Sequence, residues 1–211
     1  MLDLPAEATT GTAGPGRQED EVPMRSATTR AAEGFLRRAF TVAEVEAMQE
    51  QGIFHPDEKF ELVEGEIVPL QSKSPVHEMI KETLNRLLVR NLPDGLWVGV
   101  ERTIFLSPTT ALDPDISLFE ERHKAEKVDG PRLILAIEVS HSALAYDKGL
   151  KARLYSRYGV PEYWVIDVKR RRTIVHRGPK GDKWESIEAW GEDVVLAHPA
   201  VPGFSLRLSE V

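Results

Sequence analysis

The stretch Leu133-Ile134-Leu135-Ala136-Ile137-Glu138-Val139 is apolar at every position but one. A run of this kind, with no polar alternation, belongs to a strand covered on both faces, so the chain must pack something above and below it. The exception is the harder constraint. An ionised Glu138 taken out of water costs several kcal/mol unless it is paired, hydrogen-bonded or bound to a cation. A second acid stands at the mouth of another apolar run, in Leu112-Asp113-Pro114-Asp115-Ile116-Ser117-Leu118-Phe119. If the two strands are neighbours, Asp115 and Glu138 form an oxygen cage suited to Mg²⁺ or Mn²⁺. The plainer alternative is a Glu138 paired with an Arg or a Lys.

Composition narrows the classes. A chain of 211 residues predicts one domain with a tail. A net charge of −7 argues against a protein that coats nucleic acid by bulk positive charge, and leaves room for a local basic groove or bound cations. With no cysteine, disulfides, zinc–thiolate sites, iron–sulfur clusters and thiol nucleophiles are excluded. The longest apolar run falls far short of the ~20 residues of a membrane span, so no membrane association is expected. Residues 1–12 lack a basic and then apolar leader, which makes the cytoplasm the default location. Residues 1–38, rich in Ala, Thr, Gly, Glu and Arg and broken by Gly14-Pro15-Gly16, are expected to form a disordered tail. The folded domain is then 39–211.

Within that domain Thr41-Val42-Ala43-Glu44 reads as a capping box opening a short helix that ends near Gly52. The segments 60–63 and 67–70 flank Glu64-Gly65-Glu66 and predict a hairpin with Gly65 at a positive φ. Ser74-Pro75, followed by apolar residues at helical spacing, predicts a helix over 75–90. Strands are expected over 96–106, 116–119, 133–139 and 163–166, with shorter ones at 173–176, 184–189 and 194–196 completing a mixed sheet. Trp164 should enter the core and Tyr163 the opposite face. A helix over 146–158 carries Asp147, Lys151 and Tyr155 at i, i+4 and i+8, on one face. Lys151 could then project toward the acids; the alternative is an ordinary surface pair with Asp147.

Taken in order, Phe60-Glu61-Leu62-Val63-Glu64-Gly65-Glu66-Ile67, Ser74-Pro75-x-His77, Pro114-Asp115, Ile137-Glu138-Val139-Ser140, Asp147-x-x-x-Lys151-x-x-x-Tyr155 and Gly159-Val160-Pro161-Glu162-Tyr163-Trp164-Val165-Ile166-Asp167 resemble the Uma-type restriction endonucleases. That family lies in the PD-(D/E)XK, restriction-endonuclease-like superfamily. The resemblance runs from about Phe40 to the C-terminus. It implies an α/β restriction-endonuclease-like core, a mixed central sheet flanked by helices, and Mg²⁺- or Mn²⁺-dependent hydrolysis of DNA phosphodiesters. It also implies that Asp115, Glu138 and the backbone carbonyl of Val139 bind the cation. The superfamily places a lysine two residues after the glutamate, where this chain has Ser140. The resemblance therefore points to Lys151 on the following helix, with Lys148 as fallback. Glu61 and His77 are implied as supporting residues; the alternatives are a solvated hairpin glutamate and a surface histidine. DNA is the implied partner, and cutting both strands would call for two sites, as in a homodimer. Lys169-Arg170-Arg171-Arg172 is either a phosphate contact or a solvated turn. The competing function is a nuclease-fold module that binds DNA or a protein without cleaving.

Overall fold

The computed structural model describes residues 37–70 and 72–211. The expected disordered tail lies outside them except for Arg37 and Arg38. Helix α1 (Val42–Glu50) opens on the anticipated capping box: the Thr41 hydroxyl accepts from the Glu44 amide, and the Glu44 carboxylate accepts from the Thr41 N–H at 2.9 Å. Strands β1 (Phe60–Val63) and β2 (Glu66–Pro69) form the hairpin. Its turn is Glu64 at φ 50° and Gly65 at φ 85°. Two successive left-handed residues match the right-handed twist of the flanking strands. Helix α2 (Pro75–Arg90) is capped by Ser74, whose hydroxyl accepts from the His77 N–H, and buries Ile80, Leu84 and Leu88. Each of these side chains contributes about 1.5–3 kcal/mol over remaining exposed.

A six-stranded sheet runs in the order β10 (Lys183–Gly191), β9 (Arg172–Lys180), β8 (Glu162–Asp167), β7 (Leu133–Ser140), β6 (Ile116–Glu120) and β3 (Leu96–Val100). Only β7 and β8 pair in parallel. That pairing demands a crossover. Helix α3 (Leu144–Tyr146), a π turn (Asp147–Lys151) and helix α4 (Ala152–Arg157) supply it end to end. Helix α2 packs on one face of the sheet with Leu135, Ile137, Val139 and Trp164. On the other face α4 packs with Ala136, Tyr163 and Val165, so Trp164 and Tyr163 do enter opposite layers. A second sheet of four strands, in the order β2, β1, β5 (Thr110–Leu112) and β4 (Ile104–Ser107), closes that layer with Val63, Ile104, Leu106 and Leu112.

Two expectations are corrected. The single strand over 96–106 is two, β3 and β4 (Ile104–Ser107), in different sheets, with the chain reversing at Glu101 (φ 47°). The break is tertiary in origin. The Glu101 N–H donates to the Asp115 carbonyl at 3.1 Å, and the Arg102 guanidinium donates to the carbonyls of Lys124 and Glu126. The short β5 (Thr110–Leu112), after Pro108, was not foreseen. The strand expected at 194–196 lies instead at β11 (Leu196–His198), where it pairs with an unforeseen β12 (Val201–Leu206) and does not extend the mixed sheet. Their Leu196, Val201, Phe204 and Leu206 pack into the α2-side core instead. Among the described residues no helix is long and apolar enough to cross a membrane.

Candidate active site

Strands β6 and β7 are antiparallel neighbours with Ile116 opposite Ile137. Continued one residue, that register sets Asp115 opposite Glu138. Because Ile137 and Val139 face α2 while Ala136 faces α4, alternation turns Glu138 toward the α4 side. Both acids are buried, at 2% and 5% exposure. Asp115 Oδ2 accepts from the Val139 N–H at 2.8 Å and from His77 Nε2 at 2.9 Å, and Oδ1 accepts from the Lys73 amine at 2.6 Å. An ionised Asp115 requires the His77 proton on Nε2. Burial works against the Asp115 charge, but the hydrogen bonds from His77 and Lys73 outweigh it and hold the carboxyl below its usual range. His77 is thus buried on an acid, neither a surface residue nor a free phosphate clamp. Val139, whose carbonyl the resemblance assigns to a cation, uses its N–H to fix Asp115.

Glu138 and Lys151 meet on the α4 side. The Lys151 amine lies 2.8 Å from Glu138 Oε1 and 2.8 Å from Glu61 Oε1, and 5.5 Å from the Tyr146 ring centroid. Glu61 shares the face of β1 that carries Val63 into the α4-side core, which removes the solvated alternative: it is 2% exposed. Its Oε1 also accepts from the Asp113 N–H at 2.9 Å and its Oε2 from the Tyr146 hydroxyl at 3.1 Å. Lys148 is exposed, and Lys151 is the buried member of the pair. The surface pair between Asp147 and Lys151 is not seen, since both are buried and Lys151 is engaged by the glutamates. Burial disfavours the Lys151 charge, yet Glu138 and Glu61 hold it charged, above its ordinary value. Burial pushes Glu138 up, and the negative charges of Asp115, Asp147 and Glu61 add to the effect against Lys151. Asp147 and Asp113 are raised as well, again chiefly by burial.

The π turn aims this lysine. The Ala152 N–H reaches back to the Asp147 carbonyl, which also accepts from the Tyr163 hydroxyl at 3.1 Å. One wide turn inside a helix rotates the residues after it relative to an unbroken α-helix, a device often found at functional sites.

A hydrated divalent cation suits this donor set. The ligands are hard oxygens from two carboxylates, as Mg²⁺ prefers, with water and phosphate filling the remaining positions. Burial raises the carboxyls of Asp113, Glu138 and Asp147 first, and the negative charge of neighbouring acids adds to it at each of them. Among the described residues no donor reaches Glu138 Oε2, whereas Oε1 is taken by Lys151. No cluster of three or more His, Cys, Asp or Glu able to hold a metal is present among the described residues, so a fully protein-ligated ion of the zinc kind does not fit.

Sequence reasoning passed over five residues here: Lys59, Lys73, Lys81, Glu101 and Tyr146. Lys73 lies between Asp115 and Glu101; Tyr146 anchors Glu61; Lys59 and Lys81 pair with Glu101. Lys73 directly precedes the Ser74-Pro75 helix start and Tyr146 is one residue from Asp147, so adjacency to those motifs was their available signal. The basic run is largely spent on neighbours: Arg170 and Arg172 pair with Asp167, and Arg171 with Glu192.

Residues 42–209 match the family model described as "Uma2: Putative restriction endonuclease". An uncharacterised protein from Synechocystis is 28% identical over 176 residues, covering 75% of this chain and 92% of that protein. A crystal structure described as that of a "putative nuclease belonging to DUF820" from Anabaena variabilis superposes with a TM-score of 0.61 at 17% identity, over 76% of this chain and 93% of the other. At that identity the likeness establishes the shared fold.

Proposed function

Since the chain belongs to the Uma2 family of putative restriction endonucleases, we propose that it is a divalent-cation-dependent DNA endonuclease that hydrolyses phosphodiester bonds. The observation that carries this reading is the opposition of Asp115 and Glu138 on neighbouring strands, with the Lys151 amine 2.8 Å from Glu138. Asp115, Glu138 and the Val139 carbonyl would hold Mg²⁺ or Mn²⁺. When bound, such an ion supplies Lewis acidity to a phosphoryl oxygen and lowers the pKa of water.

The protein's own groups do the rest. His77 and the Val139 N–H fix the Asp115 carboxylate in its ionised form. Lys151 keeps a full positive charge inside a buried pocket, where it orients the attacking water and stabilises charge developing at phosphorus. Glu61 holds Lys151 in place, and Tyr146 holds Glu61. The displaced lysine needs no partner two residues after Glu138, where the buried Ser140 stands.

Cleavage of single-stranded, duplex and branched DNA by wild type and Glu138→Ala, with Mg²⁺ and with Mn²⁺, tests the proposal. Glu138→Ala should lose more than about 10²-fold in rate, because even residues behind metal ligands are worth 10–100-fold. It should stay folded, since Glu61 remains as partner to Lys151. A wild type that binds these DNAs but never nicks them would make the domain a binding module.

A further inference from the structure

Three lysines converge on one acid beside the site. Lys59 and Lys73 reach Glu101 at 3.0 and 2.8 Å, and Lys81 also pairs with it. Their freedom differs. Lys81 is buried, with its side chain 8% exposed, and is held from a second side by Glu78 at 2.7 Å. Lys59, at 68%, stands on the rim. Lys73 is 27% exposed and joins the two acids, 2.6 Å from Asp115 and 2.8 Å from Glu101. Glu101 is itself tied to the site, through its left-handed backbone and the bond from its N–H to the Asp115 carbonyl.

We propose that Lys73 is a phosphate-contacting residue that alternates between two partners: it neutralises Asp115 in the cation-free protein and moves onto a nucleic-acid backbone phosphate when a divalent cation takes its place. A cation on Asp115 repels an ammonium 2.6 Å from the same carboxylate, so the two positive charges compete for it. Glu101 keeps the freed amine at the mouth, and the long flexible stem of Lys73 lets its charge swing from one oxygen acceptor to another. Lys59 and Lys73 together place two ammonium groups around Glu101, next to the paired acids of an otherwise acidic chain. The inference rests on the nuclease reading and adds to it a residue that holds substrate.

Two measurements on the full chain test it. Calorimetric titration with Mn²⁺ and no DNA should show several-fold tighter binding to Lys73→Gln than to wild type. Fluorescence anisotropy on a duplex oligonucleotide with Ca²⁺, read against salt, should show the slope of log K reduced by about 0.9 in Lys73→Gln and restored in Lys73→Arg, as loss of one phosphate contact requires. Between 50 and 200 mM salt that slope amounts to about a 3.5-fold change in the ratio of the two affinities. An unchanged slope or weakened Mn²⁺ binding in a folded Lys73→Gln overturns the role of Lys73 while leaving the nuclease proposal standing. A wild type that neither binds nor cuts any DNA overturns both.

Discussion

Asp115 and Glu138 sit opposite each other yet shift in opposite directions, because three donors surround the first carboxylate, while at the second burial, with neighbouring acids adding to it, outweighs Lys151. The Asp115 carboxyl is held below its unfolded value of about 3.9. Near that pH the unfolded chain therefore binds the additional proton, and stability falls with acid. This contribution is complete above about pH 4 and is lost as pH drops through the native value. Asp115→Asn has no such titration. Its unfolding free energy, followed in denaturant from neutral pH into acid, should decline less steeply than that of wild type; parallel curves would show that Asp115 is not held ionised by His77 and Lys73. At this scale Asp115 and Glu138 were legible in the sequence, because a charge inside or beside an apolar run must be answered by something, whereas Lys151, Glu61 and His77 were singled out by the family resemblance. Lys73 and Tyr146 were not, since neither interrupts a pattern and both act on residues far away in the chain.

Among the elements, those governed by local chemistry followed the sequence: the capping box of α1, the proline start of α2 and the Glu64-Gly65 turn. Gly65 is required there twice. Its φ is 85°, and a Cβ would press on Ala39, whose neighbour Phe40 donates its N–H to the Gly65 carbonyl at 2.9 Å. Gly149, inside the π turn, has no positive φ and open space where a Cβ would go. Thermal unfolding should separate them: Gly65→Ala should destabilise by more than about 1 kcal/mol, and Gly149→Ala should stabilise by up to about 1 kcal/mol. Equal effects would mean that the hairpin backbone relaxes freely. The elements that escaped prediction depend on distant partners. The break at Glu101 needs Asp115 behind it, and the π turn is braced by Tyr163.

Across the whole molecule, Lys151 joins two sheets, bonding Glu138 of the six-stranded one and Glu61 of the four-stranded one. A cation bound at this junction should stabilise the fold as a unit. A ligand at 100 times its Kd adds about 2.7 kcal/mol, which for a domain of this size raises Tm by about 5–10 °C. Wild type titrated with Mn²⁺ in a thermal-shift experiment should show that rise and Glu138→Ala should not; a similar rise in both would place the ion elsewhere. The sequence by itself determined that a doubly covered strand carries a buried acid, that a second acid opens another apolar run and that a lysine lies on the helix that follows the first of these strands, because periodicity and the cost of burying charge are properties of short segments. Only the tertiary structure decided which partner each charge takes. Glu61 turned from a solvent-facing option into the second anchor of Lys151, and Lys73 came to rest on Asp115, because register, a wide helical turn and the stacking of two sheets bring together residues that no local pattern relates.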